Sequence, residues 1–548
     1  MNIILVSINN FQEYILTNIS QLIRLNHSNI YVIINKRFEI FFSSFDDKIK
    51  LIFVEDLNDE YKYISNSRLD KNFRDGFWML CSARFYYIYE AMKKYDLKDV
   101  IHLENDVLLY YNCDILNGCF DKSRVYLPFD TFNRNIASIM YIPEHNILKS
   151  ILDNYDLSKD DMNNFSSIQK KTGLIENLPI FIPSLFDNSE YNFVTKNYDK
   201  FQFIFDAAAI GQYLGGIDPK NEPGNTVGFV NETCVIKYNN FKFEWCDKDN
   251  IKKPFIKIKD ILYPIFNLHI HSKKLDNFTF MDFEKNEKLF DIVIPIGPND
   301  IDIVHKQVEK NKKNIIGYRN IYLVSYDKNI HIDGCITIDE NIFPFTKKDV
   351  ELYSHISEER SGWVLQQLLK LYVGFVIEGI LDRVLIVDSD TIFLHPIQFI
   401  QDEKCIYTYG VEYHKPYFEH MRRLHPDLKK MILSQSGITH HMMFEKKYLI
   451  EIFNMVMTLH KEEFWKTFLK CISNNSISCA SEYEIYYNYM LKFHPEKILI
   501  RKLKRLVTNT LSIIDSIDAD CVNIHHHYYK NEYIQYQRII CGDPDTFQ

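Results

Sequence analysis

The sequence predicts an α/β protein built as two tandem domains, each around a mostly parallel central sheet. Three observations carry that prediction. Short β-branched runs alternate with longer amphipathic segments, as parallel strands joined by helical crossovers do. The β-rich pattern that opens the chain restarts at Phe290-Asp291-Ile292-Val293-Ile294-Pro295-Ile296. Each half also holds an apolar run ending in two acids one residue apart: Val100-Ile101-His102-Leu103-Glu104-Asn105-Asp106, then Val384-Leu385-Ile386-Val387-Asp388-Ser389-Asp390.

Bulk properties agree with this plan. The 548 residues exceed one ordinary core. A hydrophobic share of 46% excludes a disordered chain, and a net charge of −9 excludes the broad basic footprint of a nucleic-acid binder. Eleven cysteines without a C-x-x-C pair, and a start at Met1-Asn2-Ile3 without a basic leader, lead us to expect reduced thiols and a cytoplasmic location. No apolar run reaches the roughly 18 to 20 residues of a transmembrane segment.

In chain order, strands are expected at 3–8, 30–35, 50–54 and 99–103, and a helix from Gly76 to Lys94 on the stripe Phe77, Leu80, Ala83, Tyr87 and Ala91. A further strand is expected at 136–141, and the polar stretch 153–175 reads as a loop-rich insertion. Asp206 opens an apolar helix that Gly215-Gly216 stops. The half closes on Phe266 to Lys274, where alternation puts His269 and His271 on one strand face. The first domain thus spans 1–283, a charged linker 284–290, and the second domain 291–548. There, strands are expected near 320–325 and 335–339, with a helix from Ser361 to Ile380 feeding the Asp388 strand.

The halves overlay by spacing. Arg74-x-Gly76 lies 30 residues before Glu104, and Arg360-x-Gly362 lies 28 before Asp388. Asp206 follows Asp106 by 100 residues and Glu482 follows Asp390 by 92, each with a tyrosine, Tyr213 or Tyr489, seven residues on. We read this as a duplication in which each half keeps a site.

Acids at i and i+2 of an extended strand leave the same face, making a hard oxygen site suited to Mg²⁺ or Mn²⁺ with positions left for a diphosphate. The plain alternative is a turn or cap pair. Asp206 and Glu482 are candidate general bases for an acceptor hydroxyl, against a plain reading as helix N-terminal acids, with Ser481 as a cap. Trp363 could equally be core.

A strand, Asp-x-Asp, then an apolar run (Thr391-Ile392-Phe393-Leu394 and Val107-Leu108-Leu109-Tyr110) resembles the metal motif of GT-A nucleotide-sugar glycosyltransferases, whose fold is Rossmann-like. The second half also resembles a bacterial and viral family of glycosyltransferase-like domains of unassigned substrate. It does so through Ser361 to Gln367, the Asp388 stretch, Ser436 to Phe444 and Ser481-Glu482-Tyr483-Glu484. The first half resembles a more distant relative through Phe205-Asp206 and Gly211 to Gly216.

The resemblance implies two GT-A-like domains that bind Mn²⁺ or Mg²⁺ and transfer sugar from a UDP- or GDP-sugar to a glycan or glycoconjugate. It implies metal ligands Glu104, Asp106, Asp388 and Asp390, with a late histidine completing each shell: His525 in the second half, and His271 or His269 in the first. It places Arg360, Trp363, Gln366 and Ser389, and in the first half Arg74, Arg84, Asn105 and Lys273, at the donor, and His440 and His441 near the acceptor. Alternatives are a single catalytic half beside a non-catalytic glycan-binding half, for which the first fits better because glutamate replaces its leading aspartate; a sugar nucleotidyltransferase; or a scaffold that needs no metal.

Overall fold

Five strands in each half decide where the acids stand. The structure is a computed structural model that describes residues 1–183, 191–221, 226–248, 251–279, 289–298, 300–354, 356–473, 478–508 and 519–524. It divides into two compact units, Met1–Asp282 and Phe283–Gln548.

In the first unit the central strands lie in the order Lys50–Phe53, Ile30–Ile34, Asn2–Ser7, Val100–Leu103, all parallel, followed by antiparallel Ile139–Ile142. The second unit gives the same order and directions: Ile336–Asp339, Tyr318–Ser325, Phe290–Ile296, Arg383–Val387, then antiparallel His441–Glu445. These strands are largely buried runs of Ile, Leu and Val, as a sheet covered on both faces requires. The fold class is therefore α/β with mostly parallel central sheets.

The helix Phe77–Tyr95 starts behind Gly76, whose φ of 81° is a left-handed turn that glycine tolerates, and it buries Ala83, Phe85, Ile88 and Ala91. The helix Glu358–Val376 begins before the expected Ser361, because Glu358 and Glu359 in its first turn complement the exposed N–H groups, and it stops short of Ile380.

Beyond each acidic pair the chain leaves the main sheet. Val107–Leu109 pairs antiparallel with Ile261–His269, setting Val107 opposite His269; Thr391–Phe393 pairs antiparallel with Cys521–Ile524, setting Thr391 opposite Asn523. One helix in each unit fastens this turn by side-chain amides. Asn18 donates to the Val107 carbonyl at 2.9 Å and Gln21 to Leu109 at 2.5 Å. Asn311 donates to Thr391 at 2.9 Å and Asn314 to Phe393 at 2.7 Å.

Three expectations change. The stretch 153–175 holds a helix, Asp161–Thr172, capped by Asp160, whose carboxylate accepts from the Asn163 amide, and ended by Gly173 at φ 67°. Its inward face is narrow, so its apolar period is faint. Strands Lys242–Lys248, Ile251–Ile258 and Ile261–His269 form an antiparallel meander that was not anticipated. That last strand ends at His269, so the alternation does not extend to His271. Residues 284–288 of the expected linker lie outside the described residues, while Phe290 already belongs to a strand. Among the described residues, no cysteine is in a disulfide and no helix is long and apolar enough to cross a membrane.

Candidate functional site

Parallel strands present their carboxyl ends at one edge of the sheet, where open α/β sheets bind ligands. Val100–Leu103 delivers Glu104 and Asp106 there. The Glu104 amide donates to the Ser138 carbonyl at 2.9 Å, and the Ile270 amide donates to the Asp106 carbonyl at 2.8 Å. Glu104, Asp106 and His269 thereby bring ligand-type atoms within 4.8 Å of one another. His269 Nε2 lies 2.9 Å from Glu104 and 3.3 Å from Asp106, while Nδ1 donates to the Ala207 carbonyl at 2.7 Å.

The remaining oxygens of this pair meet cations of the chain. Arg84 contacts Glu104 and also Asp161 at 2.9 Å, and Lys273 contacts Asp106. Burial alone would raise both carboxyls. Arg84 beside Glu104, Lys273 beside Asp106, and His269 beside both instead hold them below the usual range. The two acids in turn lift His269 to about 10 against its own burial.

The second unit repeats the frame with different contents. The Asp388 amide donates to the His440 carbonyl, and the Ile524 amide to the Asp390 carbonyl, both at 2.9 Å. Asp388, Asp390 and His440 offer ligand atoms within 4.8 Å of one another. Lys370 Nζ lies 2.6 Å from Asp388 and 2.8 Å from Glu482, the Tyr483 hydroxyl donates to Asp388 at 2.7 Å, and His440 Nδ1 lies 3.2 Å from Asp388. Burial would raise Asp388, but Lys370 and His440 hold it down.

Asp390 goes the other way. Burial, then repulsion from Asp388 and Asp300 against the pull of His440, push it up to about 6. Asp388, Asp390 and His440 thus converge, with Lys370 joining Asp388 to Glu482, and hard oxygens plus an imidazole suit Mn²⁺ or Mg²⁺.

Several expected residues stand elsewhere. Of the two histidines expected in the first half, His269 joins the acidic pair: the strand ends there and the Ile270 amide turns onto Asp106, leaving the His271 ring 4.1 Å from that of His269. Burial, then His269 and Lys273, hold His271 well below its ordinary value. His525, with His526 and His527, lies outside the described residues. Because Ile270 and Ile524 make the same hydrogen bond, His525 is the chain-position counterpart of His271, and Asn523 that of His269. The second unit draws its clustered histidine instead from His440, the counterpart of Ser138. His440, expected near the acceptor, stands beside the acidic pair, on a left-handed backbone with φ 61°.

Both candidate bases are engaged by groups of the chain itself. Asp206 is 1% exposed and accepts the amides of Ile210, Gly211 and His269 at 2.8 to 3.0 Å; burial raises it to about 6. Glu482 opens the helix Glu482–Phe493 behind Ser481, whose hydroxyl accepts from the Glu484 amide, and it is tied to Lys370. His441 is a core residue: its ring sits 5.1 Å from Phe393 and 5.7 Å from Phe399, Nε2 meets the Thr408 hydroxyl at 3.0 Å, and burial lowers it to about 3.

The residues between the acids point back to the start of each sheet. Asn105 donates to the Val6 carbonyl at 2.7 Å and Ser389 to Asp300 at 2.7 Å, so both fasten the motif. Arg74 donates to the Lys220 carbonyl and the Asn221 side chain, each at 2.7 Å, holding that loop. Arg360 lies 4.5 Å over the Trp363 ring, with Gln366 one turn on, both half-buried.

Sequence reasoning missed Asp300 and Glu412. Asp300 stands in a Pro-Asn-Asp run just ahead of a helix, a legible cap signal. Glu412 carries no such signal; it is half-buried, within electrostatic reach of His440, and its carboxyl is raised, chiefly by burial. The quoted glycines are packing requirements. A Cβ on Gly211 would fall 1.9 Å from the His269 carbonyl oxygen, and one on Gly437 2.6 Å from that of Tyr483.

No family model and no curated protein matches the chain. Among solved structures it is similar to the galactosyltransferase LgtC in complex with donor and acceptor sugar analogs, at 13% identity over 36% of this chain and 83% of that one, TM-score 0.26. It is similar to an active-site mutant of LgtC at 12% identity over 37% and 83%, TM-score 0.27. It is also similar to mouse xyloside xylosyltransferase 1 in its apo form, at 11% identity over 36% and 93%, TM-score 0.23. Those scores are too low to bear on activity, so function is argued from the site alone.

Proposed function

We propose that the chain is a metal-dependent glycosyltransferase of two GT-A-like domains, spanning 1–283 and 291–548, whose second domain moves a sugar from a UDP- or GDP-sugar to a hydroxyl of a glycan or glycoconjugate. The observation that carries this is the convergence of Asp388, Asp390 and His440 where a parallel strand ends. These three side chains would hold Mn²⁺ or Mg²⁺, which when bound supplies Lewis-acid neutralisation of a departing diphosphate.

The chain's own residues do the rest. Lys370 and the Tyr483 hydroxyl fix the Asp388 carboxylate. Arg360, Trp363 and Gln366 offer a flat cationic and aromatic surface to the nucleotide. Glu412, within electrostatic reach of His440 and raised toward neutrality by burial, takes the acceptor proton.

A panel of nucleotide sugars, assayed for nucleoside diphosphate release with and without Mn²⁺, tests the reading. Metal-dependent release that disappears in Asp390→Ala is expected. Release of pyrophosphate from a nucleoside triphosphate and a sugar phosphate would make the protein a nucleotidyltransferase instead.

A further inference from the structure

We infer that the second unit docks on an anionic lipid bilayer through one face, formed by two apolar loops and the outer side of the helix Lys415–Leu424. This goes beyond the reading above and holds whether or not the chain transfers sugar.

The first loop exposes Val411 and Tyr413, at 54% and 58%; the second exposes Met431, Ile432 and Leu433 in succession, with Leu433 at 74%. Apolar side chains in a row at the surface are costly in water and mark a place of contact. The loops are neighbours, because Gly410 and Ser436 exchange both backbone hydrogen bonds at 2.8 and 2.9 Å. The Phe418 ring of the helix touches each of them, 5.1 Å from the Tyr413 ring and 4.7 Å from Lys430 Nζ.

The second loop is pinned at both ends. On one side buried Glu484 accepts from Lys430 at 3.1 Å, and the Met431 amide donates to the Asn488 side chain at 2.8 Å. On the other, the Ser436 hydroxyl donates to Glu484 at 2.6 Å and the Tyr487 hydroxyl to Gln435 at 2.7 Å. Ile432 and Leu433 lie between these anchors, so the fold itself holds them in water.

Charge selects what covers them. The helix Lys415–Leu424 buries Phe418, Met421 and Leu424 and leaves Lys415, Arg422 and Arg423 exposed, with Lys429 exposed at the root of the second loop. The acids Glu419 and Asp427 are paired with Lys415 at 3.4 Å and Lys492 at 2.7 Å. Aliphatic tips, a tyrosine and nearby Lys and Arg suit the boundary of an anionic bilayer, where acyl chains receive the tips and headgroup phosphates meet the cations. A protein partner fits less well, since lysine is depleted where proteins meet.

Co-sedimentation of the full chain with vesicles, without metal or nucleotide sugar, tests this. Binding to phosphatidylcholine mixed with phosphatidylglycerol is expected, with weaker binding to phosphatidylcholine alone and to the mixture at high salt. Ile432→Ser combined with Leu433→Ser should lower the partition coefficient ~10-fold or more, and Arg422→Gln about fivefold, with folding checked by circular dichroism. Ile336→Ser, equally exposed but on the strand at the opposite edge of the main sheet from His441–Glu445, should change nothing. No sedimentation with the mixed vesicles, equal binding to both kinds, unchanged binding by the double variant, or an equal loss in Ile336→Ser overturns the inference. So does a dimer, seen by analytical ultracentrifugation, that disappears in the double variant while vesicles bind nothing, because the face then belongs to a second copy.

Discussion

Lys370 lays one ammonium 2.6 Å from Asp388 and, with the same nitrogen, 2.8 Å from Glu482. A buried lysine shared by two carboxylates is costly to remove, because two charges lose their partner at once. Lys370→Met is expected to destabilise the second unit by roughly 3–5 kcal/mol in urea unfolding. Adding Glu482→Gln to that variant should restore part of the loss, a coupling that a double-mutant cycle measures directly.

Asp206 makes a contrasting prediction. Its oxygens satisfy three backbone amides, so Asp206→Asn should cost about 1–3 kcal/mol of stability while turnover of the folded fraction stays unchanged. Its folded pKa of about 6 exceeds the ordinary value near 3.9. The folded state therefore keeps a proton that the unfolded chain has shed. Stability from this group is fully present below about pH 4 and is lost as pH rises through about 6, amounting to roughly 3 kcal/mol. In Asp206→Asn that part of the pH dependence should vanish; if it persists, the proton belongs to another group.

His440 combines a left-handed backbone with a place beside Asp388. His440→Gly should leave stability unchanged or raise it by about 1 kcal/mol, since glycine carries no penalty at that φ. The same change should weaken Mn²⁺ binding ~10–100-fold, as loss of an imidazole near a metal does. Calorimetric titration beside thermal unfolding reads both effects from one variant.

Glu412→Gln should lower kcat about 10²- to 10⁴-fold with KM within a few-fold, since a base acts in the transition state. The unaltered enzyme should gain activity as pH rises through the titration of this carboxyl, above the usual carboxylate range. A flat acid limb, or a change confined to KM, would mark Glu412 as an acceptor contact.

Much of the core was legible because buried parallel strands write themselves as apolar runs. The strands at 30–34, 50–53 and 100–103 fall within a residue of their expected bounds. The acidic pairs were equally visible as a motif, but they converge through turns and not along an extended strand: the strands end at Leu103 and Val387, and the Val107 and Thr391 amides donate back to the Glu104 and Asp388 carbonyls. What escaped depends on partners distant in sequence. His440 reaches Asp388 only because an antiparallel strand returns 52 residues later, and no local pattern separates it from buried His441. The tie between Glu482 and Lys370 spans 112 residues and has no local signature either. The helix Asp161–Thr172 was missed for a local reason: its caps were present, but its face toward the core is too narrow to impose a period.

Thr391 pairs with Asn523, and Ile524 donates to the Asp390 carbonyl, so the corner that holds the second acidic pair is finished by residues far downstream. During synthesis the ribosome exposes Asp388 and Asp390 long before the strand that braces them exists. Loop closure over such a span is slow and entropically costly. The first half meets the same condition at Ile270, before the second acidic pair has been made. Maturation of the two corners is thus staggered in time, and a nascent chain carries a finished first corner while its second is still open.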